Sequence, residues 1–304
     1  PTATPTQPAL EETSTPTPSS TQLGGKILFT VFNEYHGKYS LYVANIDGSD
    51  QWLLYEQTRQ AEFRGDGLIV ANGDGLGFDS LVVMNADGSN RHPITNFAED
   101  AQPSWSPDGV KVVHSSSQHG RLNSEGYPIW NIYIQDDASR QIAARALQIG
   151  SYQVIGRYPT WLPDGRIAFN GCKYWTGEGG NCGLWAIWED GTGVSQLTNA
   201  SNDLAVDGYG NEIVFMCDQR DGNWEIYKAN NVGGGITRLT NDPAIDGMPV
   251  WSPDGKGIAF LSTRDGSWAI WVMNADGSNQ RKLFNLPGPM GPDWPEERIS
   301  WWAP

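Results

Sequence analysis

Residues 246–279 read DGMPVWSPDGKGIAFLSTRDGSWAIWVMNADGSN and hold the pattern that decides the fold. Four short strand-like runs follow one another, in the order PVW, IAFLS, AIWVM and a last run that ends near Leu283. The turns between them contain Asp-Gly pairs, and glycine adopts the positive φ of tight hairpin turns without a steric penalty. The stretch therefore predicts a four-stranded antiparallel unit with strands a to d joined by hairpins.

The same unit recurs along the chain. Residues 100–113, DAQPSWSPDGVKVV, and 156–169, GRYPTWLPDGRIAF, repeat its first half, and residues 81–90, LVVMNADGSN, repeat its second half. One anchor position marks strand a of each unit: Phe63, Trp105, Trp161, Val206, Trp251 and Trp302. The anchors lie 42, 56, 45, 45 and 51 residues apart, a period typical of a propeller blade. The predicted fold is all-β, a six-bladed β-propeller.

The first blade lacks a strand a of its own, because low-complexity sequence precedes Lys26. The missing strand is found at the other end of the chain, where residues 299–304, ISWWAP, align with residues 248–253, MPVWSP. We therefore expect residues 299–303 to pair as the innermost strand of blade 1 beside residues 27–30. Closing the ring in this way leaves no long unpaired strand edge inside it.

The D-x-x-P-x-W-S-P-D-G stretch, present at residues 100–109 and 246–255, resembles the hallmark of the TolB-type β-propeller repeat family. The M-N-A-D-G-S stretch that follows strand c in two blades belongs to the same pattern. The resemblance covers about residues 26–304. It implies a six-bladed propeller and a binding role outside the cytoplasm, although one fold hosts many functions.

Composition excludes several classes of function. The net charge is −15, and an acidic surface repels nucleic-acid phosphates and anionic lipid, so neither is expected as a partner. No apolar run is long enough to span a membrane. The chain contains no G-x-S-x-G, HExxH, Walker or CxxC motif, so we expect no enzyme activity, no cofactor and no metal.

Residues 1–25 form a Pro/Thr-rich segment before the propeller, which we place at residues 26–304. Fifteen of the first 21 residues are Pro, Ser or Thr, a composition that cannot bury enough apolar area to fold alone. One interpretation is a flexible, O-glycosylated linker outside the cell. The other is an extended tail that docks on a neighbouring subunit as an added strand, which would allow head-to-tail filaments.

Three carboxylates stand out because they precede strand a by the same offset: Asp100, Asp246 and Glu297. Placed around one mouth of the central channel, they would form a cation or amine site. The alternative interpretation is that each carboxylate caps its own loop through backbone N–H groups.

Two long b–c loops, residues 115–129 and 171–183, lie on the same predicted face as these carboxylates. They carry aromatic and imidazole side chains suited to a protein surface or a sugar: His119, Tyr127, Tyr174 and Trp175. Packing over a widened blade is the other interpretation of these residues. Cys172 and Cys182 flank the second loop on facing hairpin arms, which predicts a disulfide, and Cys217 is expected to be a buried thiol.

These features favour a non-catalytic interaction or structural protein, extracellular or, in a cell with an outer membrane, periplasmic. Its propeller would offer protein-binding surfaces, and its tail would tether it or mediate self-association. The alternative is a carbohydrate-binding module or a polysaccharide-cleaving enzyme that acts at the channel mouth, which would need two acids at a defined separation.

Overall fold

The computed structural model describes residues 23–73, 80–117, 122–123, 126, 128–173 and 180–304. Its strands form six four-stranded antiparallel sheets and one small extra hairpin. The predicted six-bladed propeller is confirmed. The described strands all lie between Lys26 and Trp302, whereas the predicted tail falls almost wholly outside the described residues.

The strands of each blade follow one another outward from the channel. Blade 1 consists of Ser300–Trp302, Lys26–Asn33, Lys38–Asn45 and Trp52–Tyr55. Blade 2 consists of Thr58–Phe63, Ile69–Gly73, Ser80–Met84 and His92–Pro93. Blade 3 consists of Ala101–Trp105, Val112–Ser116, Asn131–Gln135 and Arg145–Ala146, and the extra hairpin Gln148–Ile149 with Tyr152–Gln153 follows it.

The second half of the ring repeats this order. Blade 4 consists of Arg157–Trp161, Ile167–Cys172, Cys182–Ile187 and Ser195–Gln196. Blade 5 consists of Leu204–Tyr209, Glu212–Cys217, Glu225–Asn230 and Thr237–Arg238. Blade 6 consists of Asp246–Trp251, Gly257–Ser262, Ala269–Asn274 and Arg281–Asn285, after which a short 3-10 helix, Trp294–Glu296, leads into the closing strand.

Closure by the C-terminus is confirmed. Ser300, Trp301 and Trp302 pair antiparallel with Leu28, Ile27 and Lys26. The indole of Trp301 also donates to the carbonyl of Gly24 at 3.0 Å, so the first described residues lie against the last strand. Blade 1 therefore combines strands from both ends of the chain.

The inner strands share a bulge that the sequence pattern did not reveal. In five blades the register shifts after the first or second residue of strand a, and the next residue, which is not glycine, has a positive φ. These residues are Gln60, Gln102, Tyr158, Ala205 and Met248. Such a conformation costs roughly 1–2 kcal/mol per residue, and inter-blade hydrogen bonds offset it at several positions. For example, the backbone N–H of Gln102 donates to Oε1 of the Gln60 side chain at 2.9 Å.

A second set of hydrogen bonds links neighbouring inner strands near their ends. The anchor amide N–H of one blade donates to a polar side chain of the preceding blade. The donors and acceptors are Phe63 to Ser300, Trp105 to Glu62, Trp161 to Ser104 and Trp251 to Asp207, at 2.7–3.1 Å. Between these strands, apolar faces pack blade on blade, as Leu41 of blade 1 does against Ile69 and Val82 of blade 2. Polar residues at the end of strand a therefore have a structural role, because they bind the backbone of the next blade.

Strand pairing corrects two anchors. Trp251 pairs with Ile258, and the equivalent residues in blades 5 and 1 are Gly208 and Trp301, since these pair with Ile213 and Ile27. The predicted anchors Val206 and Trp302 were wrong by two residues and one residue. The error arose because Gly208 carries no side chain to match, and two tryptophans adjoin in the closing strand.

Candidate functional site

The six inner strands surround a central cavity of about 220 Å³. Its wall includes Gln60, Glu62, Gln102, Tyr158, Asp207, Tyr209, Met248, Trp251, Glu296, Glu297, Arg298 and Trp301. Each blade contributes to this wall, so the cavity lies in the channel of the propeller. Its polar groups are the candidate functional site.

The segment that leads into the closing strand crosses the channel. Arg298 donates one guanidinium N–H to the carboxylate of Glu62 in blade 2. The same nitrogen reaches the carbonyl of Pro103 in blade 3 at 2.6 Å, and the other terminal nitrogen reaches Oγ1 of Thr160 in blade 4 at 2.7 Å. One side chain from blade 1 thus binds three other blades, including the blade opposite.

Two further ion pairs tie the same segment across the ring. Glu296 accepts from Arg157 of blade 4 at 2.8 Å. The buried carboxylate of Glu297 accepts from Arg59 of blade 2 and from the hydroxyl of Thr30. Burial raises the pKa of Glu297, and Arg59 opposes that shift. Three carboxylates of the channel, Glu62, Glu296 and Glu297, are therefore neutralised by three arginines.

The apolar side of this segment is anchored by Trp294. Its ring stacks edge-on with Trp224 of blade 5 and packs against Trp268 of blade 6, with centroids 5.4 and 5.1 Å apart. Residues 286–299 thus run from the outer strand of blade 6 across the mouth where the d–a connections lie. That mouth is occupied by the chain itself.

Asp207 differs from the other channel carboxylates. Its Oδ2 accepts the backbone N–H of Trp251 at 2.7 Å, and no cationic side chain of the described residues pairs with it. Burial raises its pKa to about 6, with a further contribution from the negative charge of Glu62. Burial also raises the pKa of Glu62 itself, against the influence of Arg298. Burial therefore raises the pKa of three channel acids, Glu62, Asp207 and Glu297.

Asp100 and Asp246 do not face the central cavity. Both are fully buried at the start of strand a, and neither belongs to the cavity wall. Asp246 is bound by Arg264 of its own blade, with Nε 3.1 Å from Oδ1. Asp100 lies 3.7 Å from Nδ1 of His114, also in its own blade. These contacts are made with side chains of the same blade and not with the backbone N–H groups that the capping interpretation invoked.

A third acid of this type, Asp203, was missed. It is fully buried, and Arg220 of the same blade binds it with contacts of 2.7 and 3.1 Å. Asp203 precedes Gly208 by five residues, as Asp246 precedes Trp251, so the misplaced anchor Val206 hid it. The same one-residue error at Trp302 aligned Glu297 with Asp246, whereas Glu297 faces the channel.

The predicted binding residues of the long loops, His119, Tyr127, Tyr174 and Trp175, lie outside the described residues, and that binding face stays a prediction. The disulfide between Cys172 and Cys182 is confirmed, with Cα atoms 4.0 Å apart on paired strands. Cys217 is a buried free thiol, as expected. Among the described residues there is no group of three or more His, Cys, Asp or Glu side chains able to hold a metal ion.

Known proteins share this architecture. A family model described as the TolB beta propeller domain matches residues 205–289. The Tol-Pal system protein TolB of Francisella tularensis subsp. holarctica (strain OSU18) is 24% identical over 256 residues, covering 68% of this chain and 55% of that protein. The propeller is TolB-like. The chain spans about half the length of this curated relative.

Solved structures share the fold of this TolB-like propeller. TolB from Acinetobacter baumannii superposes with a TM-score of 0.69 at 18% identity, over 91% of this chain and 66% of that one. An oligogalacturonate lyase in complex with manganese superposes with a TM-score of 0.54 at 17% identity, over 86% of this chain and 74% of that one. At these identities the likeness shows the fold alone.

No helix in the described part of the TolB-like chain combines the length and the apolar character that a membrane crossing requires. Its one described helix is the three-residue 3-10 turn at Trp294–Glu296.

Proposed function

We propose that this TolB-like propeller is a non-catalytic protein-interaction module that acts outside the cytoplasm. The observation that carries the proposal is the state of the channel mouth, where Arg298, Arg59 and Arg157 neutralise the carboxylates of Glu62, Glu297 and Glu296. An acid–base pair for polysaccharide cleavage needs carboxylates that are free to approach substrate. In this propeller, the carboxylates of Glu62, Glu296 and Glu297 instead form ion pairs that link blades across the ring.

Placement outside the cytoplasm is supported by the disulfide between Cys172 and Cys182, because such bonds persist in oxidising compartments. Similarity to a Tol-Pal system protein supports the same placement and a role in protein binding. The outer strands and loops of the propeller would supply the rigid surface. Residues 1–25 would tether the module or dock on a neighbouring subunit, with a filament as the extreme case.

Light scattering after size-exclusion chromatography tests the docking part of this proposal. The full chain and a chain starting at Lys26 are compared over a wide concentration range. We expect both to be folded and only the full chain to self-associate. If both remain monomers at every concentration, the tail is a linker and the docking proposal fails.

The enzyme alternative rests on the raised pKa of Asp207 and on the lyase of similar fold. A panel of polygalacturonate, other glycans and peptides, with and without Mn²⁺, tests it directly. We expect no turnover. Turnover that Asp207→Asn abolishes in a folded protein would overturn the non-catalytic proposal.

A further inference from the structure

The charges of the channel do not balance. Four carboxylates, Glu62, Asp207, Glu296 and Glu297, face three guanidinium groups, and each guanidinium is already bound to one of the other three carboxylates. Asp207 has no ion-pair partner among the described residues, and the positive charge of Arg298, which lines the same cavity, acts on it only at longer range. An unpaired charge away from bulk water is costly, so the site favours a cation from outside.

The wall around Asp207 suits an organic cation. Tyr209 and Trp251 line the same cavity, and their rings lie 5.9 Å apart between centroids. The Tyr209 side chain is 42% exposed, which marks a route from solvent on the side of the a–b turns, away from the mouth that residues 286–299 cross. Aromatic faces attract cations through the ring quadrupole, and the net charge of −15 concentrates cations near the protein.

The hydrogen bonds of Asp207 distinguish between kinds of cation. Its carboxylate already accepts two backbone hydrogen bonds, from the Trp251 N–H to Oδ2 at 2.7 Å and from the Gly208 N–H, which leaves less room for a donor that needs both oxygens. A guanidinium binds a carboxylate best through two parallel hydrogen bonds to both oxygens, whereas an ammonium is a point charge that needs one oxygen. Calcium would require six or more oxygen ligands, and a single free carboxylate does not supply them.

We infer that the channel cavity beside Asp207 is a binding site for a small primary ammonium compound. Its ammonium group would donate to the Asp207 carboxylate, and its short alkyl part would lie against Tyr209 and Trp251. The cavity volume of about 220 Å³ is below that of a drug-sized pocket, which favours a small ligand. This goes beyond the proposed function and holds or fails independently of protein binding and tail docking.

Ligand-detected NMR with n-butylammonium, n-butylguanidinium and the neutral 1-butanol tests the site. Wild type, Asp207→Asn and the control Asp254→Asn are compared at neutral pH and low salt. Asp254 is a suitable control because it is an exposed carboxylate on the a–b turn of blade 6. We expect wild type and Asp254→Asn to bind n-butylammonium alike, and Asp207→Asn to bind it roughly 10-fold more weakly or worse, the loss expected for one charged hydrogen bond.

In wild type, 1-butanol and n-butylguanidinium should also bind more weakly than n-butylammonium. A melting curve establishes that Asp207→Asn is folded, so a loss of binding would not reflect unfolding. Equal binding of the ammonium by wild type and Asp207→Asn would overturn the site, as would the absence of any ammonium binding. Equal binding of the ammonium and the guanidinium would overturn the assignment of the ligand class.

Discussion

Blades 6 and 1 are neighbours with the same four strands, but they are built differently. Blade 6 comes from one continuous stretch, and its inner strand, Asp246–Trp251, carries the bulge at Met248 and its own ion pair with Arg264. Blade 1 combines the two ends of the chain, and its inner strand, Ser300–Trp302, has three residues and no bulge. Its short inner strand is supplemented by Glu296, Glu297 and Arg298, whose side chains bind other blades across the channel. Local pairing holds blade 6, whereas long-range contacts hold blade 1.

Deleting residues 297–304 breaks blade 1 and should have the largest effect. The deletion removes the inner strand together with Arg298 and Glu297, and it exposes the edge of Lys26–Asn33. We expect loss of the cooperative unfolding transition, measured by circular dichroism during heating. Removing only Pro304, which is exposed, should leave the transition unchanged. An unaltered melting curve for the longer deletion would show that blade 1 does not need its closing strand.

Arg298→Ala tests the cross-channel contacts without shortening the strand. It leaves the Glu62 carboxylate without its cation and removes bonds to blades 3 and 4, so we expect a loss of about 2–4 kcal/mol in the free energy of unfolding. Lys256→Ala removes an exposed ion pair of blade 6 and should cost at most about 0.5 kcal/mol in the same urea titration. Equal effects of the two substitutions would contradict a special role for the closing segment.

Asp207→Asn concerns the channel acid that the closing segment leaves unpaired. Because the folded state raises the pKa of Asp207 from 3.8 to about 6, the native protein binds more protons than the unfolded chain between these values. Stability therefore falls as the pH rises through this window. The substitution should stabilise the protein by about 1–2 kcal/mol at pH 8 and by almost nothing at pH 4. Urea unfolding at both pH values measures this, and a gain that does not change with pH would refute it.

The smallest expected effect compares the two anchor tryptophans. Trp301 of blade 1 donates its indole N–H to Gly24, whereas the buried indole N–H of Trp251 in blade 6 lacks a partner among the described residues. Trp301→Phe should therefore cost about 1 kcal/mol more than Trp251→Phe, the net value of one hydrogen bond. Paired urea titrations of the two variants give the difference. A larger cost at Trp251 would reverse the comparison.

The sequence predicted the strands and turns that recur in the blades, but it did not predict the contacts that occur only once. The P-x-W-S-P-D-G and N-A-D-G-S patterns predicted six blades, their strands and the closing role of the C-terminus, because each copy supports the others. Arg298, Glu296 and Asp207 could not be found in this way, since their partners lie in other blades and the distances across a ring are not written in any local pattern. Asp203 could have been predicted, because it precedes its anchor by the same five residues as Asp246. The bulge and the glycine at the anchor position made that spacing hard to recognise.

The joining of Ser300–Trp302 to Lys26–Asn33 also orders events in time. A ribosome adds about 5–20 residues per second, so the first strands of blade 1 wait roughly 15–60 s for the residues that complete their sheet. Blades 2 to 6 have all their strands before then. The last three-residue strand therefore closes a ring that is otherwise complete. Any process that needs the chain before the ring is closed must act before this strand is synthesised.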